Sequence, residues 1–375
     1  MMRAQNSDLA AEYLAQLKKE RPQSKCLQAA TQAQEALETA GYQTPQWDLV
    51  WNGVRPEQVT ESEPGEWRHG WQYFAAAQVE NTYRASAVMS GATLAANALL
   101  RSQSGPGAGA HLSALPVDAA RTLQPHHLRL LLLRRLRLPF PLDVRRCSCG
   151  GTLDELGDHR SACSQVGKLA RRAVPLERAW ARVCREAGAR VQQNTLLREF
   201  NLDADVPDAR KLEVLADNMP LWNGVQLAVD ATLVSPVRAC GQAYPRAAVK
   251  NGVRLDAARR RKNTKYPELL NSRRCRHVVT AMEIGGRWST EARTFLSLLA
   301  RARAEAAPQA LRRSTEQCCL RRWSQMVAVA AQTGYAATVL GEPGGRAPTP
   351  NDELPELGEV LDDRDLPAEG PSRLV

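Results

Sequence analysis

Seventeen residues, CSCGGTLDELGDHRSAC from Cys147 to Cys163, hold Cys147, Cys149, His159 and Cys163. Three thiolates and one imidazole make a complete tetrahedral zinc set, with no position left open for a substrate. Gly150 and Gly151 suit the tight turn after the first pair, and Gly157-Asp158 prepares the second. The competing reading is a group of unrelated reduced cysteines beside a surface histidine. A closed metal site stabilises a fold and does not catalyse, so the chemistry belongs to other residues.

Carboxylates are the next candidates. Asp230 stands inside the apolar run LAVDATLV, and Glu213 inside KLEVLA. Asp is a poor strand former, and a desolvated carboxylate is costly unless it is paired or bound to metal. Two neighbouring strands with one acid each can hold Mg²⁺ for phosphodiester hydrolysis. Strand-end acids facing solvent, or salt-bridged to arginine, are the alternative. Downstream lies RRRKNTKYPEL, where Lys262 and Lys265 share a helix face if the helix extends that far. A lysine beside such acids can orient the attacking water and stabilise a pentacoordinate phosphate. Arg259, Arg260 and Arg261 would grip neighbouring phosphates, unless they form only a solvated basic face. Glu177, near the start of the preceding helix, is a candidate third acid or simply a first-turn residue favoured by the helix dipole.

Several elements must position these groups. Residues 175–188 read as a helix, with Pro175 at its start and Gly188 at its end. Strands are predicted over 189–197, 211–216 and 226–234, the last two as an antiparallel hairpin around DNMPLWNG. A basic helix follows at 256–266, then a strand at 277–284 and helices at 290–306 and 310–340. The pattern is α/β (or α+β), with one mixed sheet flanked by helices. A helical, tryptophan-rich region of unassigned role covers 1–116, and residues 102–116 read as a Gly/Pro/Ser linker. A basic helix and the cysteine cluster occupy 125–170, the sheet domain 171–340, and an acidic, disordered tail 341–375.

The 375 residues carry a formal net charge of +10. From Gly341 onward there are nine acidic and three basic residues, which leaves the rest of the chain at +16. That balance points to a polyanionic partner, DNA first and RNA second. Nine scattered cysteines suit a reducing compartment. The only dense apolar run, Leu130 to Leu133, is flanked by arginines and too short for a membrane.

In this order of cysteine cluster, helix, acid on a strand, acid on the next strand and lysine-tyrosine pair, the chain resembles the restriction-like endonuclease domain of non-LTR retrotransposons. The resemblance covers 128–340. Cys147, Cys149, His159 and Cys163 match the family's zinc knuckle, VDATLVSP (229–236) its second acidic strand, Lys265-Tyr266 its lysine-tyrosine pair, and IGGRW (284–288) the segment that follows. The resemblance implies a PD-(D/E)XK nuclease-like fold and a nuclear, metal-dependent DNA endonuclease with structural Zn²⁺ and catalytic Mg²⁺. It puts Glu213 and Asp230 on the magnesium, with Lys265 and Glu177 as the further catalytic groups. Arg259, Arg260, Arg261, Lys262 and Tyr266 fall to the nucleic acid. There are departures. KLE at 211–213 stands where the family has a basic residue, Pro and Asp, and the literal Pro207-Asp208 comes earlier. Thr232 occupies the position of the lysine two residues after the second acid. No reverse transcriptase core is present. These departures support the alternative of a catalytically decayed, zinc-containing nucleic-acid-binding relative. A zinc-clipped structural protein is a third reading, which leaves the basic body unexplained.

Overall fold

A computed structural model describes residues 16–39, 79–83, 85, 93–140, 145–164, 168–199 and 208–341. The chain divides into two units, 1–92 and 93–375. In the first, helix α1 spans Lys25–Thr39. The tryptophans at 47, 51, 67 and 71 lie outside the described residues, as does the tail after Gly341.

The second unit opens with α2 (Leu94–Ser102) and α3 (Pro125–Arg135). A two-residue hairpin, β1 (Arg145–Arg146) and β2 (Thr152–Leu153), leads to α4 (Asp158–Ala162) and α5 (Lys168–Arg171). Next come α6 (Val174–Glu186), β3 (Arg190–Leu196), β4 (Lys211–Asp217) and β5 (Gln226–Val234). Helices α7 (Val253–Lys265) and α8 (Pro267–Asn271) precede β6 (Cys275–Glu283), and α9 (Thr290–Glu305) and α10 (Arg312–Leu340) close the chain.

The sheet runs in the order β3-β4-β5-β6. The first two pairings are antiparallel, and β5 pairs with β6 in parallel. A parallel neighbour needs a crossover, and α7 with α8 supplies it. Strand β5 is central, and its residues 227–234 are all buried. Alternation divides them. Leu227, Val229, Ala231 and Leu233 join the main core with Trp180 of α6, Phe295 of α9 and Trp323 of α10. Ala228 and Val234 face the other side, where Leu255 and Ala258 of α7 and Tyr266 pack. Asp230 falls in this second set by its period of two. The predicted mixed sheet flanked by helices is therefore present.

Residues 102–116 are not a linker, and the boundary between units lies at Ala92–Thr93. Ser102 accepts at its carbonyl from Arg287 N (2.9 Å) and at its hydroxyl from Gly285 N (3.0 Å). A Cβ on Gly286 would sit 2.2 Å from the Ala108 carbonyl oxygen. Gly285 and Gly286 let their backbone approach Ser102 and Ala108 closely, and Gly105 leaves room for the Arg287 side chain.

Candidate active site and metal cluster

The cysteine cluster assembles because β1 and β2 turn through Gly150 and Gly151 and α4 brings His159 back over them. Ligand atoms of Cys147, Cys149, His159 and Cys163 all lie within 4.8 Å of one another. Cys149 Sγ is 3.2 Å from His159 Nε2, and Cys147 Sγ is 4.0 Å from Cys163 Sγ. His159 Nδ1 faces the Ala239 carbonyl at 3.1 Å, an outer partner that leaves Nε2 for a metal. A backbone N–H from Cys149 and bonds from His159 and Cys149 pull the Cys147 thiol down to about 6, so thiolate is available near neutral pH. The four side chains form a Cys₃His cluster able to hold a metal ion. Asp154 caps α4 through the Asp158 and His159 N–H groups at 2.9 and 2.7 Å. Buried Asp158 pairs with Arg134 (2.6 Å) and Arg137 (2.5 Å), so these two arginines of the basic 125–138 segment brace the cluster.

The carboxylates lie on the α7 side of the sheet. Val214 pairs with Val229, so the antiparallel register brings Glu213 beside Asp230. Glu213 Oε2 accepts from Ala231 N at 2.5 Å, and its Oε1 accepts from Lys262 Nζ at 3.0 Å. The same ammonium donates to Asp230 Oδ1. Asp230 Oδ2 is buried without a hydrogen-bond partner and faces His277 Nε2 at 3.7 Å. Tyr266 packs edge-on against the His277 ring, 5.7 Å between centroids.

Charge is strongly redistributed here. Burial, reinforced by the Asp230 charge, pushes Glu213 up to about 9. Burial alone would raise Asp230 too, but His277 and the Lys262 ammonium outweigh it and hold that carboxyl well below the usual range. Burial would lower Lys262, and the two carboxylates reverse this and keep it charged. Glu177 is raised by burial, with Lys262 opposing and Asp230 adding. Such opposed shifts in one cleft are a signature of functional sites and also of structural ion pairs.

Glu177, Glu213, Lys262 and Lys265 line one cleft of about 550 Å³, with Arg172, Arg254 and Arg261. The lysine that reaches the carboxylates is Lys262, not Lys265. Lys265 is the last residue of α7, and its ammonium lies over the Tyr266 ring at 4.8 Å. Three residues advance a helix by about 4.5 Å, enough to carry Lys265 past the acids. Arg259, Arg260 and Arg261 do not act together, because consecutive residues turn about 100° on a helix. Arg259 pairs with Glu291 at 2.6 Å, Arg260 is exposed, and Arg261 lines the cleft. Tyr266 is 1% exposed, and its hydroxyl donates to the Lys211 carbonyl at 2.7 Å. It is a core residue tying α7 to β4 rather than a surface for nucleic acid. Asp208 pairs with Arg210 at 2.6 Å; Pro207 is outside the described residues. Sequence reasoning assigned no role to His277, whose only signal is a histidine near the start of a buried strand.

No protein-family model matches the chain, and no curated protein matches it either. Among the described residues, no helix is long and apolar enough to cross a membrane.

Proposed function

We propose that this chain is a metal-dependent endonuclease of the PD-(D/E)XK kind, of retrotransposon origin, which hydrolyses phosphodiester bonds in nuclear DNA. The observation that carries the reading is the meeting of Glu213, Asp230 and Lys262 from two adjacent strands and a helix. They meet at a cleft lined by further basic residues. In this reading the Cys₃His cluster holds structural zinc.

The residues fit a hard divalent cation. Their donors are carboxylate oxygens, and Asp230 Oδ2 is buried with no hydrogen-bond partner. Glu213 and Asp230 would hold Mg²⁺, with Glu177 as a third acid on the cleft wall. The ion when bound supplies Lewis-acid polarisation of the scissile phosphate. Lys262 supplies positive charge where negative charge grows on the phosphate, and it takes the part of the lysine that Thr232 replaces on β5. Buried walls around the acids keep bulk water from screening that charge.

Nicking of supercoiled plasmid with Mg²⁺ or Mn²⁺ tests the reading. Wild-type protein should nick, and Asp230→Ala should not. The variant should still bind DNA, since removing a negative charge does not weaken attraction to a polyanion. A second reading, a decayed nuclease that only binds nucleic acid, is favoured by the Lys262 ammonium spanning both acids as an internal counter-ion. Wild-type protein that binds DNA and nicks with neither ion would establish it.

A further inference from the structure

We infer that the cleft contains a second, distinct phosphate-binding subsite, formed by Arg172, Arg254 and Arg261. All three line the cleft that holds Glu213 and Lys262. Among the described residues none of them pairs with a carboxylate, whereas other arginines of the same unit do. Arg259 holds Glu291, Arg210 holds Asp208 and Glu268, and Arg134 holds Asp158. The three cleft arginines thus keep their charge without a paired carboxylate, while Lys262 in the same cleft holds two.

Each of the two deeper guanidinium groups is held in place by neutral partners. Arg172 is 5% exposed, donates to the Ser161 carbonyl (2.7 Å) and the Leu233 carbonyl (2.5 Å), and leaves Nε unpartnered. Arg254 lies over Tyr244, its guanidinium carbon 3.6 Å from the ring centroid, and donates from Nε to the Ser235 carbonyl at 3.3 Å. The ring contact and the Nε bond restrain the guanidinium while leaving its other N–H groups for a planar or tetrahedral oxyanion. Burial lowers Arg172 and Arg254, and repulsion from Arg261 adds to both. An oxyanion between them relieves that repulsion. Glu283, which opposes it at Arg254, is itself raised to about 7 by burial.

The subsite is displaced from the acids along β5. Leu233 and Ser235 lie three and five residues beyond Asp230, about 10 and 17 Å at strand rise. A ligand that touches both places is a chain of phosphates, so the subsite takes a backbone phosphate a few nucleotides from the one at Lys262. This identity rests on the nuclease reading; oxyanion binding does not.

Calorimetric titration of the full chain, without added divalent ion, tests it with two probes: pyrophosphate and a single-stranded oligothymidylate. Wild-type protein should bind both. Arg254→Gln and Arg261→Gln should each weaken both by about ten- to a hundredfold, the value of a charge-assisted contact. Arg293→Gln, exposed on α9 and outside the cleft lining, should change pyrophosphate binding less than about twofold. Unchanged binding in Arg254→Gln and Arg261→Gln, or no binding by the wild type, overturns the subsite. Arginine-dependent binding of pyrophosphate alone overturns its assignment to a polynucleotide. Arginine-dependent binding of both probes by a protein that never nicks keeps the subsite and removes the nuclease reading. Nicking with arginine-independent binding does the reverse.

Discussion

Lys262 Nζ lies 3.0 Å from Glu213 Oε1, closing a contact across 49 positions of chain. The lysine is 9% exposed, and its other partner, Asp230, is 1% exposed. Removing the cation leaves buried Asp230 facing half-buried Glu213 without their shared counter-ion. Lys262→Ala should therefore destabilise the fold by about 3–5 kcal/mol, the usual cost of stranding a buried charge. Added Mn²⁺ should recover part of the loss by binding the bared carboxylates. Lys265→Ala, at an exposed helix end, should stay within about 0.5 kcal/mol. Thermal melts of both variants, with and without Mn²⁺, read the difference.

Glu283 predicts a pH dependence away from those acids. Burial raises its carboxyl to about 7 from an ordinary 4.5, against the opposing Arg287 beside it. The folded state therefore holds this proton more tightly than the unfolded state. Its stabilising effect is complete below about pH 4.5 and is lost as pH rises to about 7. Glu283→Gln should flatten this part of the stability profile, with the gap to wild type growing by on the order of 1–3 kcal/mol across the window. Urea melts at half-unit pH steps would show it, and parallel profiles would refute it.

Chelation should act at two places in the chain. With its ion removed, the 145–164 segment should lose amide protection, because ligand binding and local folding are coupled. Ala239 to Gly241 should loosen with it, since His159 Nδ1 contacts the Ala239 carbonyl and Asp158 lies 3.7 Å from where a Cβ on Gly241 would be. Amides of β4 and β5 should keep their protection. Hydrogen exchange with and without chelator, alongside metal analysis for one zinc per chain, provides the check.

Gly334 should behave unlike an ordinary helical glycine. Replacing glycine by alanine inside a helix commonly stabilises by about 0.5–1 kcal/mol. Here a Cβ would sit 2.2 Å from the Arg172 carbonyl oxygen. Gly334→Ala should instead lower the melting temperature and, by shifting Arg172, weaken pyrophosphate binding.

Much of the sheet is legible from local pattern. The run QLAVDATLV is strand β5 over its predicted length, and the hairpin partner KLEVLA extends by one residue to Asp217. An acid within such a run is visible because every neighbour is apolar. Which lysine meets it is not visible, because Lys262 and Lys265 share a helix face and only the seating of α7 on the sheet separates them. The arginine triplet misleads for a related reason: adjacency in sequence is divergence on a helix. The 102–116 segment misleads through composition, since small residues serve close packing as readily as free movement. Nothing local distinguishes His277 from an ordinary buried strand residue until β6 lies beside Asp230.

One guanidinium links the two halves of the site. Arg172 donates to Ser161 within the cysteine-cluster helix and to Leu233 at the end of the Asp230 strand. The cluster and the sheet are therefore not interchangeable modules. A hybrid taking one from this chain and the other from a relative would have to bring both carbonyls within reach of the same buried cation. The seating of the cysteine cluster and the seating of the sheet are thus coupled through one buried side chain.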